Sequence, residues 1–196
     1  TPQQINESIS KNDGRVIVEG VLQRSGAKNQ NGRIYPKDIL AREVANYKAT
    51  QIAEKRALGE LDHPESSVVN LNNVSHNILD CWWNGDDVIG KVEILGTPSG
   101  NILKELLKAG ILLGISSRGL GSVKELDEGT VAVEDDFELI CWDFVSNPST
   151  HGAFMKPIQS EGLLAEGILN QNQSYAKVNT IIRDILCEMK GCCPVD

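Results

Sequence analysis

The chain has 196 residues, of which 40% are hydrophobic, and its formal net charge is −8. That length suits one domain with extensions or two small domains, and the apolar fraction suits a packed core. The acidic balance argues against an electrostatic nucleic-acid binder, and no run approaches the roughly 20 apolar residues of a membrane span.

The N-terminal stretch "TPQQINESISKNDGR" is polar and lacks the apolar core of a signal peptide, so a soluble, non-secreted chain is expected. Residues 15–23, "RVIVEGVLQ", alternate apolar and polar side chains and predict a half-buried strand. The stretch "RSGAKNQNGRIYP" that follows is turn chemistry, because Asn and Gly tolerate positive φ. Pro36 opens a predicted helix, "PKDILAREVANYKA", with Ile39, Leu40, Val44 and Tyr47 at helical spacing. In "RALGELDHPESSVVN", Pro64 holds His63 extended, at a strand end or in a loop.

Residues 74–83 and 87–95 predict a hairpin across "NGD", and "TPSGNILKELLKAG" predicts a helix from Pro98 to Ala109 ended by Gly110. "GILLGISSRGLG", residues 110–121, is the next strand, and 130–133 and 137–145 supply two more. The charged run "GSVKELDEG" reads as a solvated hairpin tip, and "SNPSTHG" as a turn or loop. Beyond residue 157 the chain turns polar, so residues 158–176 form an expected linker. Residues 177–196 carry an expected terminal helix with a stripe of Val178, Ile181, Ile182, Ile185 and Leu186, followed by a short tail. The expected class is α+β, with about six strands and two or three helices in a barrel or packed sheet.

Five cysteines, Cys81, Cys141, Cys187, Cys192 and Cys193, are read as reduced thiols, and their spacing does not predict a metal site. Three histidines bound the chemistry: His63, His76 within a strand, and His151 after "NPST". Asp143 interrupts the apolar run "LICWDFVS", and a buried carboxylate must find a partner or keep its proton. A hydroxyl at Ser116, an imidazole and an orienting acid together make an activated serine nucleophile. Arg118, or the backbone amides of "RGLG", would face the oxyanion. The plainer readings are turn serines, a packed His76, a surface Arg118, and tryptophans (Trp82, Trp83 and Trp142) serving as core and interface bulk. A thiol enzyme using Cys141 is a third option, but a cysteine in an apolar strand is held as an inert thiol.

"KNQNGRIYP", "LGELDHPE", "KVEILGTPSGNILKELLKAG", "GISSRGLG" and "WDFVSNPS", in that order, resemble the prohead core proteases of T4-like tailed bacteriophages over roughly residues 15–150. The resemblance implies an assemblin-like β-barrel ringed by helices, with residues 1–157 as the protease domain. It implies a serine endopeptidase in which His63 is the general base and Ser116 the nucleophile, in preference to Ser117. Arg118 would lie at the oxyanion. Asp143 would orient the imidazole, with His151 (assemblins use a second histidine) and Glu138 as alternatives for that third role. The implied substrates are phage scaffold and capsid proteins and the chain itself, cut after glutamate with Leu or Ile two residues before it. Glu7, Glu166 and Glu188 fit that pattern in loosely packed segments, whereas "LGE" at 58–60 is protected by folding. Cutting in the linker would remove the terminal helix. A homo-oligomer inside the prohead, within the bacterial cytoplasm, is also implied, with no cofactor, metal, membrane or nucleic acid. The alternative is an inactive scaffold or core protein of the same fold, although such a protein need keep neither His63 nor Ser116. Since the base must be neutral, activity is expected to rise as an ordinary imidazole loses its proton, near pH 6.5.

Overall fold

The computed structural model describes residues 15–158 except Glu128, together with Gln3, Asn6, Glu7, Ser10, Asn12 and Gly14. Apart from Ile158, the expected linker and terminal helix, with Glu166, Glu188, Cys187, Cys192 and Cys193, lie outside the described residues. In chain order the elements are β1 (Val16–Arg24), β2 (Arg33–Ile34), α1 (Lys37–Tyr47), a π-helical turn (Lys48–Ile52), β3 (Leu58–Glu60), β4 (Val74–Asn84), β5 (Asp87–Ile94), α2 (Pro98–Lys108), β6 (Gly114–Leu120), β7 (Val123–Asp127), β8 (Thr130–Val133), β9 (Glu138–Val145) and β10 (Lys156–Pro157). The class is α+β with a strand majority.

Alternation places the core. Along β5, Val88, Gly90, Val92 and Ile94 are buried while the residues between them are partly exposed, the period-2 signature of a one-sided strand. The stripe read in α1 is buried at Ile39, Leu40, Val44 and Tyr47. The α2 helix starts at Thr97, whose side chain accepts from Gly100 N at 3.0 Å and so satisfies an otherwise orphan amide, with Pro98 at the first helical position. Leu103 and Leu107 of α2 join the core. Trp142 is fully buried, its ring edge-on to Tyr47 at 4.8 Å. Each large apolar side chain so buried contributes about 1.5–3 kcal/mol.

The strands divide among three sheets: a five-stranded sheet ordered β10-β1-β5-β4-β3, a three-stranded sheet ordered β2-β8-β7, and the β6-β9 pair. Single bridges tie the pair to its neighbours, Leu61 to Phe144 on the β3 side and Gly114 to Phe154 on the β10 side. The ladders stop at these isolated bridges, so the α+β class is found without the expected barrel: no closed barrel forms among the described residues. The charged run is solvated and part of a hairpin, as expected, but it forms a strand and not only the tip. All five residues of β7 are exposed, yet they pair antiparallel with β8. Ladder hydrogen bonds need no burial, so such a strand leaves no apolar alternation to read. Among the described residues, no helix is long and apolar enough to cross a membrane.

Candidate active site

The segment "LGELDHP" carries His63 to its place. Gly59 of β3 lies so close to β9 that a Cβ there would run into Trp142 O and the His76 ring. Glycine is required for that approach. Next, Leu61 bridges Phe144, and Asp62 N donates to Phe144 O at 2.8 Å. Asp62 then takes φ of +72°, a left-handed conformation that turns the chain sharply. Its carboxylate accepts from His63 N at 2.9 Å, a local bond that Asp can make in this turn.

The turn sets His63 Nδ1 3.0 Å from Asp143 Oδ2, with the imidazole 39% exposed and the carboxylate fully buried. A carboxylate against Nδ1 fixes the proton of the neutral ring on that nitrogen and leaves the lone pair on Nε2. Asp143 Oδ1 accepts from Glu60 N at 2.9 Å and from Arg118 Nη2 at 3.1 Å, and Arg118 Nε lies 3.0 Å from Oδ2. Burial works against the charge on Asp143. His63, the Glu60 amide, Arg118 and the Cys141 thiol together outweigh it and hold the carboxyl below its ordinary range.

Beneath lies a charge network. Arg118 Nη2 reaches Glu60 Oε1 at 2.8 Å, Arg118 Nη1 donates to Ser66 O at 2.8 Å, and Glu60 Oε1 also accepts from Asn70 N at 2.9 Å. Glu60 and Asp143 are wholly inaccessible and Arg118 nearly so. Arg118 is held charged against its burial, chiefly by Glu60. Of Arg118, expected at the oxyanion, Nη1 and Nη2 bond the Ser66 carbonyl, Glu60 and Asp143, while the residue also lines the larger cavity beside His63. Cys141 sits in the same network, and burial with the Asp143 charge pushes its thiol up to about 12, the inert state expected of it.

Ser116 pairs with Asp143 across the β6-β9 ladder, so the two side chains share a face. Its Oγ lies 3.3 Å from Ser149 Oγ. Ser116 and His63 line one cavity of about 160 Å³, together with Asn31, Arg33, Asn147 and Ser149. No hydrogen bond joins Ser116 to His63 among the described residues. A larger cavity, about 360 Å³, shares His63, Arg33, Tyr35 and Ser117 and continues past Leu120, Val133 and Phe137. Ile115 N donates to Ala153 O, away from β9, which makes Ile115 and Phe144 a non-hydrogen-bonded pair. Two residues on, the N–H and C=O of Ser117 point away from β9 as well, off the strand edge. Correspondingly, the Trp142 and Phe144 carbonyls turn from β6 to meet His76 and Asp62.

Of the expected site residues, His63, Ser116 and Asp143 come together. Glu138 is exposed at the far end of β9, opposite Leu120, and His151 is exposed in the turn after Ser149. Alternation puts the Ser117 side chain on the face opposite Asp143. Glu7, in the partly described N-terminal segment, accepts from Gln3 Nε2 at 3.1 Å. His76 is fully buried, its Nε2 donating to Trp142 O and its Nδ1 bonded to Ser75 Oγ, both at 2.9 Å. Sequence reading missed Glu60, Ser149 and Arg33. An acid inside the buried strand "LGEL" is the same signal that exposed Asp143, and it was open to the same argument.

The family model described as prohead core protein serine protease matches residues 4–163. The prohead core protein protease of Enterobacteria phage T4 is 35% identical over 164 residues, covering 82% of this chain and 77% of that protein. A solved structure of the bacteriophage T4 capsid assembly protease matches with a TM-score of 0.65 and 36% identity, over 67% of this chain and 82% of the other. With most of its length matched, the chain belongs to the prohead core protein serine protease family.

Proposed function

We propose that the chain is a serine endopeptidase of capsid assembly, working inside the phage prohead on scaffold and capsid proteins. The observation that carries this reading is the His63–Asp143 contact at 3.0 Å beside a cavity that Ser116 also lines. In the mechanism it supports, Ser116 Oγ leaves Ser149, gives its proton to His63 Nε2 and attacks the scissile carbonyl carbon. The new oxyanion is met by the Ser117 N–H, which points off the β6 edge next to the nucleophile. Protonated His63 then passes its proton to the leaving amine, and a water molecule repeats the sequence to release the acyl group. Asp143 holds the ring and favours the imidazolium. Two buried carboxylates against one guanidinium leave a negative balance that the imidazolium offsets.

Cleavage follows glutamate with Leu or Ile two residues earlier, and self-cleavage takes place after Glu7, Glu166 or Glu188. The test pairs labelling with mass spectrometry. A serine-directed phosphonate is expected to label the wild-type chain at Ser116, and Ser116→Ala to abolish both the label and any self-truncation. Equal truncation in the two chains would remove the self-processing claim, and labelling that persists in Ser116→Ala would remove Ser116 as nucleophile.

A further inference from the structure

Arg33 stands on the cavity wall without a countercharge among the described residues. It is exposed on β2, and it lines both the cavity that holds Ser116 and His63 and the larger one beside it. Asn29 Oδ1 accepts from the backbone N of Arg33 at 2.9 Å and anchors the turn that presents it, yet no acid pairs with its guanidinium among the described residues. Most other arginines described here do have acidic partners: Arg24 with Asp87, Arg42 with Glu43, Arg56 with Glu54, and Arg118 with Glu60. In a chain of net charge −8, an unpaired guanidinium at the reacting end of a cleft is an unspent recognition element.

We propose that Arg33 is the specificity-determining residue that binds the acidic side chain immediately before the scissile bond. The inference rests on the endopeptidase reading and deepens it. Position along the cleft separates the charges. Among the described residues no Asp or Glu lines the cavity at Ser116, whereas Glu65 lines only the larger one, where it repels an acid placed farther along. That farther end is apolar, with Leu120, Val123, Val133 and Phe137. An extended peptide lying along the open edge of β6 presents residues two apart on the same side, roughly 6.6 Å from each other. One such peptide brings an acid to Arg33 and, two residues earlier, an apolar side chain to the Phe137 end. Tyr35, just beyond β2, lines both cavities together with Arg33 and sets an apolar ring beside the charged head.

The test uses paired peptides, Leu-Ala-Glu and Leu-Ala-Gln within one flanking sequence. Binding is measured to Ser116→Ala and to the Ser116→Ala/Arg33→Gln double variant, and cleavage to wild type and Arg33→Gln. The Glu peptide is expected to bind about tenfold to a hundredfold more tightly than the Gln peptide. That ratio should collapse towards one in Arg33→Gln, with an unchanged unfolding midpoint because the side chain is exposed. Added salt should weaken the preference in wild type only. An unchanged Glu-to-Gln ratio in Arg33→Gln would overturn the assignment. Arg33-dependent binding without cleavage by wild type would instead sustain the recognition site and overturn the endopeptidase reading.

Discussion

Adjacent residues of β9 hold two histidines to opposite ends. Trp142 offers its carbonyl to His76 in the core, and Asp143 offers its carboxylate to His63 at the cleft. His76 is fully buried, edge-on to Phe144 at 4.8 Å, and burial drives its pKa down to about 4 in spite of its bond to Trp142. It stays neutral and acts as packing with two hydrogen bonds. His63 is part exposed, and no hydrogen bond engages its Nε2 among the described residues. The same ring is structural where both nitrogens are committed and open to proton transfer where one is not. The contrast breaks most completely at the proposed nucleophile. Ser116→Ala is expected to cut kcat by about 10⁴-fold or more with little change in stability, read by peptide hydrolysis and thermal unfolding. An active, phosphonate-labelled Ser116→Ala chain would return His63 to the same status as His76.

Asp143→Asn strikes next, because it removes the charge that fixes the His63 tautomer. A loss in kcat of about 10⁴-fold is expected from precedent for a triad acid. Stability falls too, since Asp143 is depressed in the folded state. Its contribution is present above about pH 4, the ordinary carboxylate value, and is lost as pH drops through its lower folded value. Arg118→Met sharpens the point, for it touches no substrate in the proposed mechanism but strips two buried carboxylates of their cation. A loss of about 3–5 kcal/mol in denaturant unfolding is expected, as when one partner of a buried pair is removed. An unfolding midpoint within experimental error of wild type would show the network to be neutral to the fold.

The His76 side of the comparison has its own titration. An unfolded histidine takes up a proton below about pH 6.5, while folded His76 resists until about 4. Its contribution is therefore present above 6.5 and disappears as pH falls through that window, about 3 kcal/mol in all. Urea midpoints between pH 7 and 4 should drop accordingly, and His76→Gln should flatten the slope while lowering stability at neutral pH. A wild-type profile flat across that range would contradict the buried neutral ring.

What the sequence disclosed follows the same division between local and assembled properties. The β1, β4, β5, β6, β8 and β9 strands and both α-helices were legible, because each carries an apolar run or alternation bounded by turn residues. Two residues of β2, three of β3 and two of β10 are too short for any period, and β7 buries nothing. His63, Ser116 and Asp143 were legible because a proline, a serine pair and an acid in an apolar strand each break a local pattern. Arg33 and Ser149 break none; their places on the cavity wall arise only when loops distant in sequence, tied by Gln30 N to Ser149 O at 2.9 Å, meet at the cleft. Arg118 was legible as a residue but not as to its direction, since facing Asp143 and Glu60 depends on the β6-β9 register.

The smallest expected effect tests how that geometry is delivered. Asp62 sits at φ +72°, where a side chain costs about 1–2 kcal/mol and Asn, Asp or Gly are tolerated best. Asp62→Gly relieves the conformation but gives up the bond to His63 N and frees the unfolded chain, so stability should change by less than about 1 kcal/mol. Asp62→Val, β-branched, meets the full strain and should lose about 1–2 kcal/mol, with kcat falling as His63 swings from Asp143. Parallel measurement of unfolding midpoint and kcat in the two variants separates backbone strain from the carboxylate's own bond. If glycine and valine behave alike, the left-handed turn is not what aims the imidazole, and the close approach of Gly59 to Trp142 must do so alone.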